Sequence, residues 1–198
     1  MALFTEQEVK GRAYADCITL QKSASTVLAE DARATSSRKD FDIFLSHSIK
    51  DSDLILGIKK ILEDLGYSVY VDWIVDTQLD RTKVTPQNAD ELRKRMKASK
   101  SLLYVTTENS TNSKWMPWEC GYFDGLKDKV AIIPIVKSSS IAAYHGQEYL
   151  GLYPYCVKEK AERTMKDTLW VHKNDKEYTS YDNWIKKNNN EIEWKKEK

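Results

Sequence analysis

The chain has 198 residues and a mass of 22.9 kDa, room for one full α/β domain with an extension. Hydrophobic residues make up 41% and charged residues 31%, which argues against disorder. Lys plus Arg number 31 against 30 Asp plus Glu, a net charge of +1, whereas nucleic acid or an anionic membrane would call for a strongly basic surface. The longest apolar run, Val130 to Val136, is too short to cross a bilayer. No cationic segment followed by an apolar stretch opens the chain, so a cytoplasmic location is expected. Three widely spaced cysteines (Cys17, Cys120, Cys156) suit a reducing compartment and form neither a zinc pattern nor a disulfide framework.

In chain order, Thr5 and Glu8 read as a capping box that starts a helix. Val9, Ala13, Cys17, Leu20, Ala24 and Val27 then recur at helical spacing as one apolar stripe. Two readings of this helix stand side by side: a partner or self-association helix, or one packed on its own domain. Residues 34–37 (Ala-Thr-Ser-Ser) read as a linker. From Asp40 the pattern becomes strand–helix alternation. Residues 40–46 form a β-prone run, Ser52 is placed to cap a helix with Leu54, Ile58, Ile61 and Leu65 on one face, and Gly66 ends it. Residues 67–72 (YSVYVD) form a second strand; a polar segment from Trp73 to Pro86 precedes a helix over about 87–98. Ser101 to Thr106, Val130 to Val136 and about 153–157 complete a set of about five strands, with a Trp-rich helix over about 114–127. Beyond 158 the chain is strongly charged, with a further strand near 168–172, a turn at 174–175 and a short helix over 181–187.

Short strands alternating with helices imply right-handed βαβ crossovers and an open, doubly wound parallel sheet. Ligands of such sheets sit beyond the carboxyl ends of the strands. That edge carries Ser46, His47 and Ser48, Asp72 and Trp73, the loop after Thr106 and the start of the Trp-rich helix. Neither a G-x-G-x-x-G nor a G-x-x-x-x-G-K-[ST] loop is present, and the three histidines are scattered, which disfavours a metal site. In the Trp-rich segment Trp115 and Glu119 are four apart and share a helical face, as do Trp118 and Tyr122. A carboxylate beside an indole at this edge is either a reactive group or the solvent edge of a core helix.

The run Phe41-Asp42-Ile43-Phe44-Leu45-Ser46-His47-Ser48 resembles the first box of Toll/interleukin-1 receptor (TIR) domains. Residues 66–72 resemble their second strand, and Trp115-Met116-Pro117-Trp118-Glu119 resembles the W-x-x-x-E element. These boxes occur in the family's order over about 39–157, and the compact layout of a TIR unit with a short helix resembles prokaryotic antiphage TIR proteins, including Thoeris subunits. The segment 74–85 lacks the Arg-Asp-x-x-Pro-Gly pattern of receptor members.

This resemblance implies a flavodoxin-like TIR fold over a TIR domain (39–160), with an N-terminal helical extension (1–38) before it and a charged C-terminal extension (161–198) that packs on the domain or completes it. It implies an enzyme that cleaves the nicotinamide–ribose bond of NAD⁺, giving ADP-ribose or a cyclic isomer as a signal for a separate effector in antiphage defence. Glu119 takes the catalytic position; Ser46, His47, Ser48, Asp72, Trp115 and Trp118 take substrate-binding positions. NAD⁺ is the substrate, with no cofactor and no metal. Self-association is expected through the BB loop (about 73–86), and the N-terminal helix is a second candidate contact. Two alternatives stand: a non-catalytic TIR scaffold, and a glutamate-dependent enzyme acting on free nucleosides. A flavodoxin-like binding module is disfavoured because no phosphate loop follows the first strand.

Overall fold

The computed structural model describes residues 2–73, 85–139, 144–146, 148–162 and 164–196. The N-terminal part comprises β1 (Phe4–Thr5), α1 (Glu6–Leu20) and α2 (Ala24–Ala34). Then follow β2 (Phe41–Ser46), α3 (Ser52–Asp64), β3 (Val69–Val71), α4 (Pro86–Lys97), β4 (Ser99–Thr106), α5 (Met116–Lys127) and β5 (Val130–Val136). The chain continues through β6 (Tyr155–Lys160), β7 (Asp167–Asn174), β8 (Glu177–Ser180), α6 (Tyr181–Lys186) and β9 (Lys195–Lys196).

One sheet runs in the order β3-β2-β4-β5-β6-β7-β8-β9, with β1 pairing β5 off this path. The pairs from β3 to β6 are parallel and those from β6 to β9 antiparallel. The expected open α/β sheet is present, but among the described residues it has nine strands where about five, with a further one near 168–172, were expected. The additional ones are a two-residue N-terminal strand and an antiparallel C-terminal run. In β7, Leu169 and Val171 are buried while Thr168 and Trp170 between them are less so, the alternation of a strand with one face on a core.

Each face of the sheet carries its own core. One joins Ile43, Leu45, Leu103 and Ile133 to apolar residues of α1, α2, α3 and α6. The other joins Phe44, Leu102 and Ile132 to Leu92 and Met96 of α4 and to Met116, Cys120 and Phe123 of α5. Alternate residues of β2 therefore serve opposite faces, as period-two geometry requires.

The N-terminal stripe is two helices rather than one. Gln21 adopts a left-handed conformation (φ 53°) that closes α1, and Ser23 caps α2 by accepting a hydrogen bond from Thr26 N. Val9, Ala13, Ala24 and Val27 are buried against the fold, whereas Leu20 is 47% exposed. The reading of a helix packed on its own domain thus describes this stripe. Asp51, not Ser52, occupies the cap position of α3, and Ser52 is its first helical residue.

β2 lies between β3 and β4 because the chain leaves it in one direction through α3 and returns across it through α4. The strand order therefore reverses between β2 and β4. A crevice opens at such a switch point beyond the carboxyl ends of the strands.

Candidate active site

Ser46 is the last residue of β2 and is paired in register with Tyr104 of β4, so it stands at the switch point. Its side chain is fully buried, and its hydroxyl donates to Glu119 Oε2 at 2.6 Å. That length is typical of a hydroxyl on a carboxylate. Glu119 lies in the first turn of α5 and is 1% exposed. The helix begins where Pro117 is tolerated, since the first turn needs no amide donors. Ser113 Oγ accepts from Met116 N, and the Trp115 carbonyl accepts from Glu119 N at 2.8 Å. An anionic side chain here also faces the positive end of the helix.

His47 is buried; its Nδ1 lies 2.9 Å from the Leu45 carbonyl, and its ring stacks on Trp73 at 5.6 Å. Ser48 is buried as well. A cleft of about 270 Å³ opens between the loop after β2 and the loop before α5, with His47, Ser48, Asn112 and Trp115 among its walls. Its size is near the lower end of small-molecule pockets. Trp115 is 8% exposed and meets Trp118 edge-on at 5.4 Å. Trp118 is half-buried and turns toward α4, stacking on Tyr122 at 5.7 Å with the Arg93 guanidinium 5.4 Å from its ring centre.

Of the residues singled out from the sequence, Ser46 and Glu119 are in direct contact but are not among the residues lining the cleft, which His47, Ser48 and Trp115 border. Trp118 sits beside Trp115 without lining this cleft. Asp72, just past the end of β3, does not line it either; the Tyr70 hydroxyl is 3.5 Å from its Oδ1. Residues 74–84, most of the expected BB loop, lie outside the described residues. The sequence reading passed over Asn109, Asn112 and the carboxylate of Asp51; their only signal was a position in loops at the strand ends.

Cys120 follows Glu119 and is buried behind it. Burial pushes its thiol up to about 11, against the lowering effect of the Tyr153 hydroxyl, so it is a thiol and not a nucleophile at neutral pH. Among the described residues no cluster of His, Cys, Asp or Glu is arranged to hold a metal ion. No helix among them is long and apolar enough to cross a membrane.

The arrangement is one buried carboxylate, oriented by a hydroxyl, at a topological switch point, with Trp115 at the start of the same helix in the wall of a neighbouring cleft. Comparison with known proteins gives the family of the chain. Residues 43–162 match the family model described as TIR domain. A Bacillus cereus (strain MSX-D12) protein named "Probable 3' cyclic ADP-D-ribose synthase ThsB'" is 47% identical over 196 residues, spanning 95% of this chain and 100% of its own. A Cytobacillus dafuensis protein named "Putative cyclic ADP-D-ribose synthase TIR2" is 40% identical over 86 residues, 43% of this chain and 23% of its own. With the first box from Ile43 onward, the W-x-x-x-E helix and the switch-point cleft inside the matched region, the chain belongs to the TIR domain family.

Proposed function

We infer that this chain is a TIR-domain enzyme that cleaves the bond between nicotinamide and ribose in NAD⁺, giving nicotinamide and ADP-ribose or a cyclic ADP-ribose isomer. The observation that carries the reading is the Ser46–Glu119 pair, buried at the switch point in a chain so close to a named cyclic ADP-D-ribose synthase. One carboxylate suffices for this chemistry. Ordinary glycosidases need a second carboxyl group to protonate the leaving oxygen. The nicotinamide of NAD⁺ is already a pyridinium cation; it takes the electron pair of the breaking C–N bond and departs neutral. What remains is an oxocarbenium-like ribose, which a fixed anion stabilises electrostatically in a site poor in water.

Glu119 is the proposed anion, held by Ser46. Trp115 forms an apolar wall; His47, Ser48, Asp72 and Trp118 are proposed to hold the remainder of the nucleotide. Water attacking the cation gives ADP-ribose and a proton, whereas a nucleophile of the same molecule closes a ring and also releases a proton. The cleft selects between them by placing one acceptor and excluding the other. Residues 39–160 are the proposed reacting unit, working in the cytoplasm. Self-association through 73–86 or the N-terminal helix is proposed to complete the site, and a separate effector to read the product in antiphage defence. If so, specific activity rises with protein concentration.

The test is to incubate concentrated protein with NAD⁺, with and without Glu119→Gln, and to identify products by mass and retention. Nicotinamide release by the wild type and its loss in the folded variant support the reading. A wild type that spares NAD⁺ but consumes a free nucleoside points to the nucleoside-acting alternative, and one that spares both points to a scaffold.

A further inference from the structure

The two walls of the cleft come from segments far apart in the chain: residues 47–50 after β2, and residues 109–115 before α5. Asp51 grips both. Its backbone amide donates to the Ser48 carbonyl at 3.2 Å, within the first wall. Its carboxylate reaches across to the second: Oδ2 accepts from Thr107 Oγ1 at 2.6 Å and Oδ1 from Asn109 Nδ2 at 2.6 Å. The receiving loop is itself folded tightly around these partners. Thr107 Oγ1 accepts from the Asn109 amide, and Ser110 Oγ accepts from Thr107 N and donates to its carbonyl.

An aspartate at a helix N-cap ordinarily accepts from an amide of its own first turn. Asp51 stands at the cap of α3 and makes no such bond. Its carboxylate, 8% exposed, is committed to the neighbouring loop instead. Two short bonds to a buried anion, in place of the local cap, fix the distance between the cleft's walls more firmly than solvent-exposed contacts could.

We propose that Asp51 is a positioning residue for the NAD⁺ reaction: by bracing the loop after β2 against the loop before α5, it sets the cleft width that decides whether the ribosyl cation meets an acceptor of its own molecule or water. The proposal rests on the activity inferred above. Asp51 does not line the cleft and touches no reacting atom; it acts through Ser48, Thr107 and Asn109.

The experiment compares the wild type with Asp51→Ala, Asp51→Asn and Thr107→Val. Circular dichroism and thermal melting check the fold, and kcat, KM and the ratio of linear to cyclic product report the reaction. Hydrogen exchange over 47–50 and 107–115 reports the brace without reference to activity. Asp51→Ala is expected to speed exchange in both loops, to lower kcat/KM about tenfold or more, and to raise the linear share severalfold, because displacing a reacting group by about an ångström can cost as much as a hundredfold. Asp51→Asn keeps an acceptor for Asn109 and a donor toward Thr107, so its product ratio stays within about twofold of wild type. Thr107→Val removes one of the two bonds and shifts the ratio in the same direction by a smaller factor. Should Asp51→Ala fail to fold, Thr107→Val decides the matter. A folded variant with unchanged loop exchange overturns the brace, and faster exchange with unchanged kcat/KM and product ratio overturns its role in the reaction. A wild type that releases no nicotinamide overturns the enzymatic reading instead, and loop exchange alone then judges the brace.

Discussion

At the scale of single residues, the contact between Ser46 and Glu119 makes a sharp demand. The hydroxyl is buried and donates to a carboxylate, an interaction of about 1.5–3 kcal/mol in typical proteins. Ser46→Ala is therefore expected to lower kcat by roughly tenfold to a hundredfold with a small change in KM, since the bond orients the group proposed to meet the cation. Glu119→Gln keeps the shape and can still accept from Ser46, so its melting temperature should stay near wild type. Its nicotinamide release should fall by about a hundredfold to a thousandfold or more, the usual range for removing one preorganised electrostatic group. Steady-state kinetics beside a thermal melt separates the two variants. An equal loss in both would mean that Ser46 does more than hold the carboxylate. The spacing showed only that Glu119 shares a helix face with Trp115; its proposed role came from the resemblance of the W-x-x-x-E element to that of TIR domains. The aim of the Ser46 hydroxyl was not, because a strand pattern gives alternation without saying which helix crosses each face. Only the order β3-β2-β4, a non-local fact, puts α5 over the end of β2.

At the scale of elements, α1 and α3 approach so closely that a side chain is excluded between them. A Cβ on Gly57 would lie 2.0 Å from the backbone oxygen of Val9, which cannot swing away as a side-chain tip can. Gly57→Ala must push α1 outward, at a cost of about 2–3 kcal/mol. For a chain of this length that lowers the melting temperature by roughly 5–10 °C. α2 is fastened differently: Asp31 receives Lys59 at 2.9 Å and Lys60 at 3.0 Å, with Lys59 itself only 4% exposed. Burial alone would raise the Asp31 carboxyl, but the hydrogen bonds from both lysines outweigh it and hold the group below its ordinary value of 3.8. A carboxyl depressed in the folded state contributes stability that is present above its unfolded value and is lost as pH falls through the folded one. Asp31→Asn should thus narrow the stability gap between wild type and variant below about pH 4, measured by denaturant titration at several pH values. The apolar spacing of 9–27 announced both helices. Their break at Gln21 was hidden because the stretch from Thr19 to Ser23 contains neither Gly nor Pro, the residues that punctuate a helix in sequence.

At the scale of the whole molecule, the C-terminal fifth is part of the core. Tyr181 and Trp184 of α6 and Ile192 beyond it belong to the same buried cluster as Ile43, Leu103 and Ile133 of the central strands. The Tyr181 hydroxyl lies 2.5 Å from Ser101 Oγ and 3.4 Å from the Asp42 carbonyl, and its ring meets Tyr67 edge-on at 4.7 Å. One side chain thus ties the C-terminal extension to β2, to β4 and to the residue that leads into β3. The sequence reading expected 161–198 to pack on the domain or complete it, but the charged composition hid which residues do so, because antiparallel strands with one solvated face carry few apolar residues. Trp184→Ala is expected to cost about 3–5 kcal/mol, as for other buried large-to-small aromatic changes. Tyr181→Phe, which keeps the ring and removes the hydroxyl, should cost only about 1 kcal/mol. A chain ended at residue 160 loses all three anchors and bares one face of the central strands near the edge opposite Glu119. It should lose its cooperative melt together with NAD⁺ turnover, although every proposed site residue is retained. If the shortened chain melted cooperatively near the wild-type temperature, the C-terminal hairpin and α6 would be an appendage, and the central sheet would close its core by other contacts.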